Sequence, residues 1–199
     1  MKVRLAGALV FLALFSALWF LPRALHAAES PRVISTQSDF DAVMAETRRL
    51  LAAYFGISYK LPVQGFLVTG TKLDELYAGA YRGAQVGLYR YKGSGHEIYV
   101  MKEMDRDKTI ATAAHELTHA WQVEACPSDQ DLVVREGFAR WVEYKILEKT
   151  GAYAEARSLA EHADPVYGVG FKKMLEWEDA WGERELPRKV QTMKSLSGQ

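Results

Sequence analysis

Five consecutive residues, His115-Glu116-Leu117-Thr118-His119, carry the most definite chemistry in the chain. On a helix, residues four apart are separated by about 400° of rotation, so the two imidazoles lie one turn above each other and can close on one metal ion. Glu116 is displaced by about 100°, where a carboxylate reaches a water beside the metal without itself being a ligand. Metal-assisted hydrolysis is the chemistry this set performs. The alternative is two histidines satisfied by hydrogen bonds in an ordinary buried helix.

The helix that would position them is legible. Ile110, Ala114, Leu117 and Trp121 follow the spacing of a buried stripe, with His115 and His119 opposite, and Asp105 or Asp107 supplies the N-cap. A catalytic zinc needs a third protein ligand and an open fourth position. Glu136 is the candidate, on a second helix reading from about Leu132 to Lys149 and stopped by Gly151. Val134, Phe138 and Trp141 would anchor that helix in the core, and Gly137 would let the two helices approach closely. Cys126, the single cysteine, is an alternative ligand, but with Glu136 downstream a structural role is the expectation.

Hydrolysis then follows from the residues. Glu116 takes a proton from the attacking water and passes it to the leaving amine. The developing oxyanion needs a donor besides the metal. Tyr167, in a glycine-flanked run expected to form a loop (Tyr167-Gly168-Val169-Gly170), and His162 are candidates, with a structural Tyr167 and a solvated His162 as their alternatives.

The rest of the chain bounds this reading. With 25 basic and 25 acidic residues, there is no electrostatic case for nucleic acid as a partner. Residues 1–28 read as a targeting segment: Lys2 and Arg4 precede an apolar run from Leu5 to Leu21, Pro22 breaks it, and Ala27-Ala28 offers a cleavage site. A cleaved secretory signal implies a periplasmic or secreted protein. Uncleaved, the same run would anchor the chain to a membrane. Residues 29–199 read as one domain: a linker to residue 37, a helix capped by Ser38 or Asp39 and ending at Phe55, a strand over Leu61–Thr69, and a short helix from Leu73 after a Thr71 cap. Two strands follow, Gln85–Tyr91 and Glu97–Met101, joined by Lys92-Gly93-Ser94-Gly95. The charged tail from Trp177 to Gln199 reads as a last helix with a solvated face or as a docking arm.

The pair of site helices resembles the gluzincin arrangement of two histidines and a downstream glutamate. More narrowly, the chain resembles the C-terminal peptidase domain of the plant LIM-domain organ-size peptidases (the DA-one-like family). The matching stretches are Arg82-Gly83, Ile98-Tyr99-Val100, Ala114 to Trp121, Glu136-Gly137 and Asp164 to Phe171, within residues 60–175. Neither a LIM domain nor a ubiquitin-interacting helix is found in this sequence, so control by ubiquitin and the plant substrates do not transfer. The resemblance implies an α+β, zincin-like metallopeptidase domain: a small, mainly antiparallel sheet on the active-site helix, followed by a helical subdomain. It implies Zn2+ held by His115, His119 and Glu136, endopeptidase-type hydrolysis of a peptide or protein substrate, and the strand Glu97–Met101 as the edge that pairs with substrate. Two further classes remain: a zinc-containing binding module of the cell envelope, and a hydrolase of another amide.

Overall fold

The computed structural model describes residues 33–77, 85–161 and 167–196, with Tyr167 described through its backbone alone. The expected targeting segment, Arg82-Gly83, His162 and Asp164 to Val166 lie outside the described residues. Among the described residues, no helix is long and apolar enough to cross a membrane.

The architecture is α+β. A first helix, α1 (Gln37–Phe55), is capped by Thr36, whose side chain accepts from the Asp39 amide, and ends at Gly56 in the left-handed region (φ 67°). The cap lies ahead of both expected residues. Strand β2 (Val63–Val68) leads into α2 (Gly70–Tyr77), which starts earlier than expected, Thr69 Oγ1 accepting from the Lys72 amide at 3.1 Å. Strands β3 (Gly87–Tyr91) and β4 (His96–Met101) form the hairpin, with Tyr91 opposite His96. Residues 33–34, expected in a linker, form β1 (Val33–Ile34), which pairs antiparallel with β5 (Met104–Asp105).

The three-stranded sheet has the order β2-β4-β3, with β4 antiparallel to β3 and parallel to β2. The parallel pairing is possible because α2 and β3 both lie between β2 and β4 in the chain, a connection long enough to bring the second strand back in the same direction. This order corrects one expectation: β4 lies in the middle with both sides paired, so it cannot be the edge that receives substrate. Among the described residues the edges are β2 and β3.

Helix α3 (Arg106–Ala125) carries the histidines and packs against α1, β3 and β4. Asp105 caps it, accepting from the Lys108 amide. Ile110, Ala114 and Leu117 are fully buried and Trp121 nearly so, as the stripe requires. Beside α3 runs α4 (Leu132–Thr150), closed by Gly151 at φ 85°, with Val134, Phe138 and Trp141 fully buried. Two helices follow, α5 (Tyr153–Glu161) and α6 (Tyr167–Trp181), and then α7 (Leu186–Val190). Leu186 and Val190 are fully buried, so this part of the charged tail is packed into the fold and is not a free docking arm.

Helix α6 corrects a second expectation. Tyr167 to Gly170 form its first turn and not a loop. A Cβ added at Gly137 would lie 2.5 Å from the backbone carbon of Gly170, and one added at Gly170 would lie 2.2 Å from the Val133 carbonyl oxygen. The two glycines therefore let α4 and α6 meet backbone to backbone. Gly137 serves this contact, not the approach of α4 to α3.

Candidate metal centre

His115 and His119 rise from α3, and Glu136 comes across from the second turn of α4. One donor atom from each lies within 4.8 Å of the others. The two Nε2 atoms are 3.2 Å apart, and Glu136 Oε2 is 3.4 Å from His115 Nε2 and 3.5 Å from His119 Nε2. A tetrahedral zinc centre with bonds of about 2.0–2.1 Å sets its ligand atoms about 3.3–3.4 Å apart. Two imidazole nitrogens and a carboxylate oxygen suit zinc by type, and their triangle has the right size. Cys126 stands outside this group, and burial pushes its thiol up to about 12, as suits a structural residue.

The partners behind the histidines aim them. His115 Nδ1 lies 3.2 Å from Glu143 Oε2, and His119 Nδ1 lies 2.9 Å from Gln122 Oε1. Gln122 is held in that orientation because its Nε2 donates to the Arg135 carbonyl at 2.9 Å. With oxygen acceptors facing both Nδ1 atoms, the neutral form of each imidazole carries its proton there and turns its Nε2 lone pair to the shared centre. Arg140 Nη1 in turn lies 3.2 Å from Glu143 Oε2.

The electrostatics favour a cation at the same point. Burial opposes a charged His115, yet hydrogen bonds to Glu136 and Glu143 outweigh it and raise the pKa. Burial likewise opposes a charged Glu136, but the two histidines hold its carboxyl far below the usual range. Glu116 differs. It is 8% exposed, and burial raises its pKa against the pull of both histidines. A carboxylate shifted toward neutrality suits a proton carrier better than a ligand.

Glu116 also has a dedicated space. A Cβ built on Gly87 of β3 would lie 2.6 Å from Glu116 Oε1 and 2.6 Å from Thr112 Cγ2. Two residues along, Tyr89 sets its ring 6.2 Å from that of His119. The Tyr89 hydroxyl meets His96 Nδ1 at 3.0 Å, and His96 Nε2 meets Glu124 Oε1 at 2.8 Å. Glu124, on the last turn of α3, also accepts from the Lys60 and Leu61 amides. This buried chain ties β3 to α3 beside the metal donors. Gly87, Tyr89, Gln122 and Glu143 were not singled out from the sequence; Glu143 alone had a signal, two turns from Glu136 on one helical face. Tyr167 begins α6, and its side chain lies outside the described residues, as does His162.

Comparisons with known proteins agree on the class. The model of the Peptidase family M1 domain matches residues 42–180. The disintegrin and metalloproteinase domain-containing protein adm-2 of Caenorhabditis elegans is 41% identical over 69 residues, which are 34% of this chain and 7% of that protein. The chain therefore spans a small fraction of that relative's length. No solved structure matches the chain.

Proposed function

The chain belongs to peptidase family M1, and from that premise we propose that it is a zinc-dependent, endopeptidase-type hydrolase of extended peptides. The observation that carries this reading is the convergence of His115 Nε2, His119 Nε2 and Glu136 Oε2, with Glu116 buried beside them. The histidines and Glu136 would hold the ion. Zinc, when bound there, supplies Lewis acidity that brings the pKa of water toward about 7 and polarises a carbonyl. Glu116 removes the proton from the attacking water and delivers it to the leaving nitrogen, a role that its burial, which raises the carboxyl pKa, favours. Glu143 and Gln122 keep the proton of each imidazole on Nδ1. Tyr167, from the first turn of α6, is our candidate donor to the oxyanion.

Substrate lies along β3 in this reading. The bond from the Met101 amide to the Val86 carbonyl sets the alternation of the hairpin, so the backbone groups of Tyr89 and Tyr91 face away from β4. A peptide pairing there would pass beside Glu116. Within the gluzincins, we propose kinship with the plant LIM-domain organ-size peptidases, on Ala114 to Trp121, Glu136-Gly137 and Asp164 to Phe171. We further propose that the segment 1–28 directs the chain to the periplasm or outside the cell, with a membrane anchor as the alternative if it stays uncleaved.

Glu116→Gln tests the assignment. The variant keeps stoichiometric zinc by elemental analysis and loses peptide hydrolysis by about 100-fold or more. Hydrolysis at the wild-type rate would remove Glu116 as the base, and an absence of cleavage by the zinc-loaded wild type across a broad peptide library would favour a binding module.

A further inference from the structure

The two helix faces that carry the metal donors continue past them. On α3, Ala111 precedes His115 by one turn and shares the stripe of His115 and His119. On α4, Glu136, Arg140, Glu143 and Leu147 fall on one face by their spacing. Beyond the donors these faces part. Lys108 and Ala111 from α3, with Arg140, Glu143 and Leu147 from α4, line a cavity of about 480 Å3. Helix α5 supplies the third wall through Ala154, Glu155 and Leu159. Clefts of roughly 300–1,000 Å3 are the size at which proteins enclose small ligands.

Glu143 joins this cavity to the metal centre, lining the first while its Oε2 lies 3.2 Å from His115 Nδ1 in the second. A cavity that starts one helical turn, about 5.4 Å, from a metal donor is within reach of a side chain next to the cleaved bond. Among the described residues, the charges of the inner lining are already engaged. Arg140 Nη1 meets Glu143 Oε2 at 3.2 Å, and Asp105, at the far end, accepts from the Lys108 amide at 2.8 Å. Lys108 and Glu155 are exposed, so water already serves them. Ala111, Leu147 and Leu159 are buried and offer carbon alone. A charged side chain entering here would give up its own water for groups that are committed elsewhere. An uncharged one gains in proportion to the apolar area it covers.

We propose that this cavity is a specificity pocket for a long, uncharged side chain, that of Met, Leu or Phe, on a residue flanking the scissile bond, with α5 as the wall that sets its depth. The inference rests on the peptidase reading given above and specifies its substrate class.

The test uses the zinc-loaded full-length chain and peptides of one sequence in which each residue flanking the cleaved bond is in turn Ala, Met, Leu, Phe, Lys or Glu. At one position Met, Leu or Phe should exceed Ala by about tenfold or more in kcat/KM, and Lys and Glu should not. Ala111→Leu fills the cavity from α3 and abolishes the preference. Because Ala111 is buried, a second variant, Ala154→Phe, fills the cavity from an exposed position on α5 and leaves the core intact. It should lose the preference for long side chains and cleave the Ala peptide at the wild-type rate. In the Glu116→Gln background, fluorescence anisotropy compares Ala and Leu peptides with and without Ala154→Phe, so binding is read without cleavage. A wild type indifferent to side-chain size, a preference for Lys or Glu, or a preference that survives Ala154→Phe overturns the proposal while leaving the peptidase reading intact. If the zinc-loaded wild type cleaves none of these peptides, the peptidase reading fails, and the anisotropy comparison still decides what the cavity binds.

Discussion

The two edges of the three-stranded sheet are treated in opposite ways. Along β2, side chains from α1 take the place of a neighbouring strand. Arg48 donates to the Val63 carbonyl, while Gln37 Nε2 donates to the Gly65 carbonyl at 3.0 Å and its Oε1 accepts from the Leu67 amide at 2.9 Å. One amide side chain thus satisfies an acceptor and a donor as a paired strand would. Along β3, among the described residues, only the Gly87 carbonyl is engaged, by the Tyr77 hydroxyl at 2.5 Å. The outward backbone groups of Tyr89 and Tyr91 have no partner among the described residues. An unpaired edge invites unwanted association. Among the described residues, the edge remote from the chemistry is closed by side chains and the one beside Glu116 is not.

Three experiments probe this asymmetry. The largest effect is expected at Gly87, where a methyl group would meet Glu116 Oε1 and Thr112 Cγ2 at 2.6 Å. Gly87→Ala should lower kcat by about 100-fold, comparable to loss of the base, while elemental analysis finds the zinc retained. Full activity in this variant would separate β3 from catalysis.

Next comes the anchor of the open edge. Glu124→Gln leaves one of the Lys60, Leu61 and His96 contacts unmet and should cost about 2 kcal/mol in urea unfolding at pH 7. Burial acts to raise the pKa of Glu124, but the two amides and His96 lower it overall. A lowered carboxylate stabilises the fold above its unfolded pKa, and that contribution is lost as pH falls through the folded value. The difference between wild type and variant should therefore be full above about pH 5 and shrink below about pH 4. A difference that stays constant across that range would dissociate Glu124 from the effect.

The smallest change is expected at the closed edge. Gln37→Ala should cost about 1 kcal/mol and leave kcat/KM as it is, while light scattering reports more self-association. A loss of activity matching that of Gly87→Ala would erase the distinction between the edges.

The site was more legible than the sheet. His115, Glu116 and His119 declare themselves by spacing, and the stripe of Ile110, Ala114, Leu117 and Trp121 fixes which side of α3 is buried, because both signals are local to one helix. Glu136 could be found because a metal demands a third donor. Strand order is set by pairings between distant segments, so nothing within Glu97 to Met101 announces that β4 is central. The two-residue β1 is too short to show alternation. Tyr167 to Gly170 read as a loop because glycine disfavours helix, and the contact of Gly170 with Gly137 overrides that local preference.

The seat of Gly137 on Gly170 has one more consequence. Helix α4 cannot roll about its own axis without driving backbone into backbone, so the direction in which Glu136 projects is set jointly by α3 on one side and α6 on the other. Affinity for the cation and the docking of α6 then become two expressions of one thermodynamic linkage. Whatever loosens the C-terminal third should be felt as weaker zinc retention, and zinc should in turn protect amides near Gly170 from exchange.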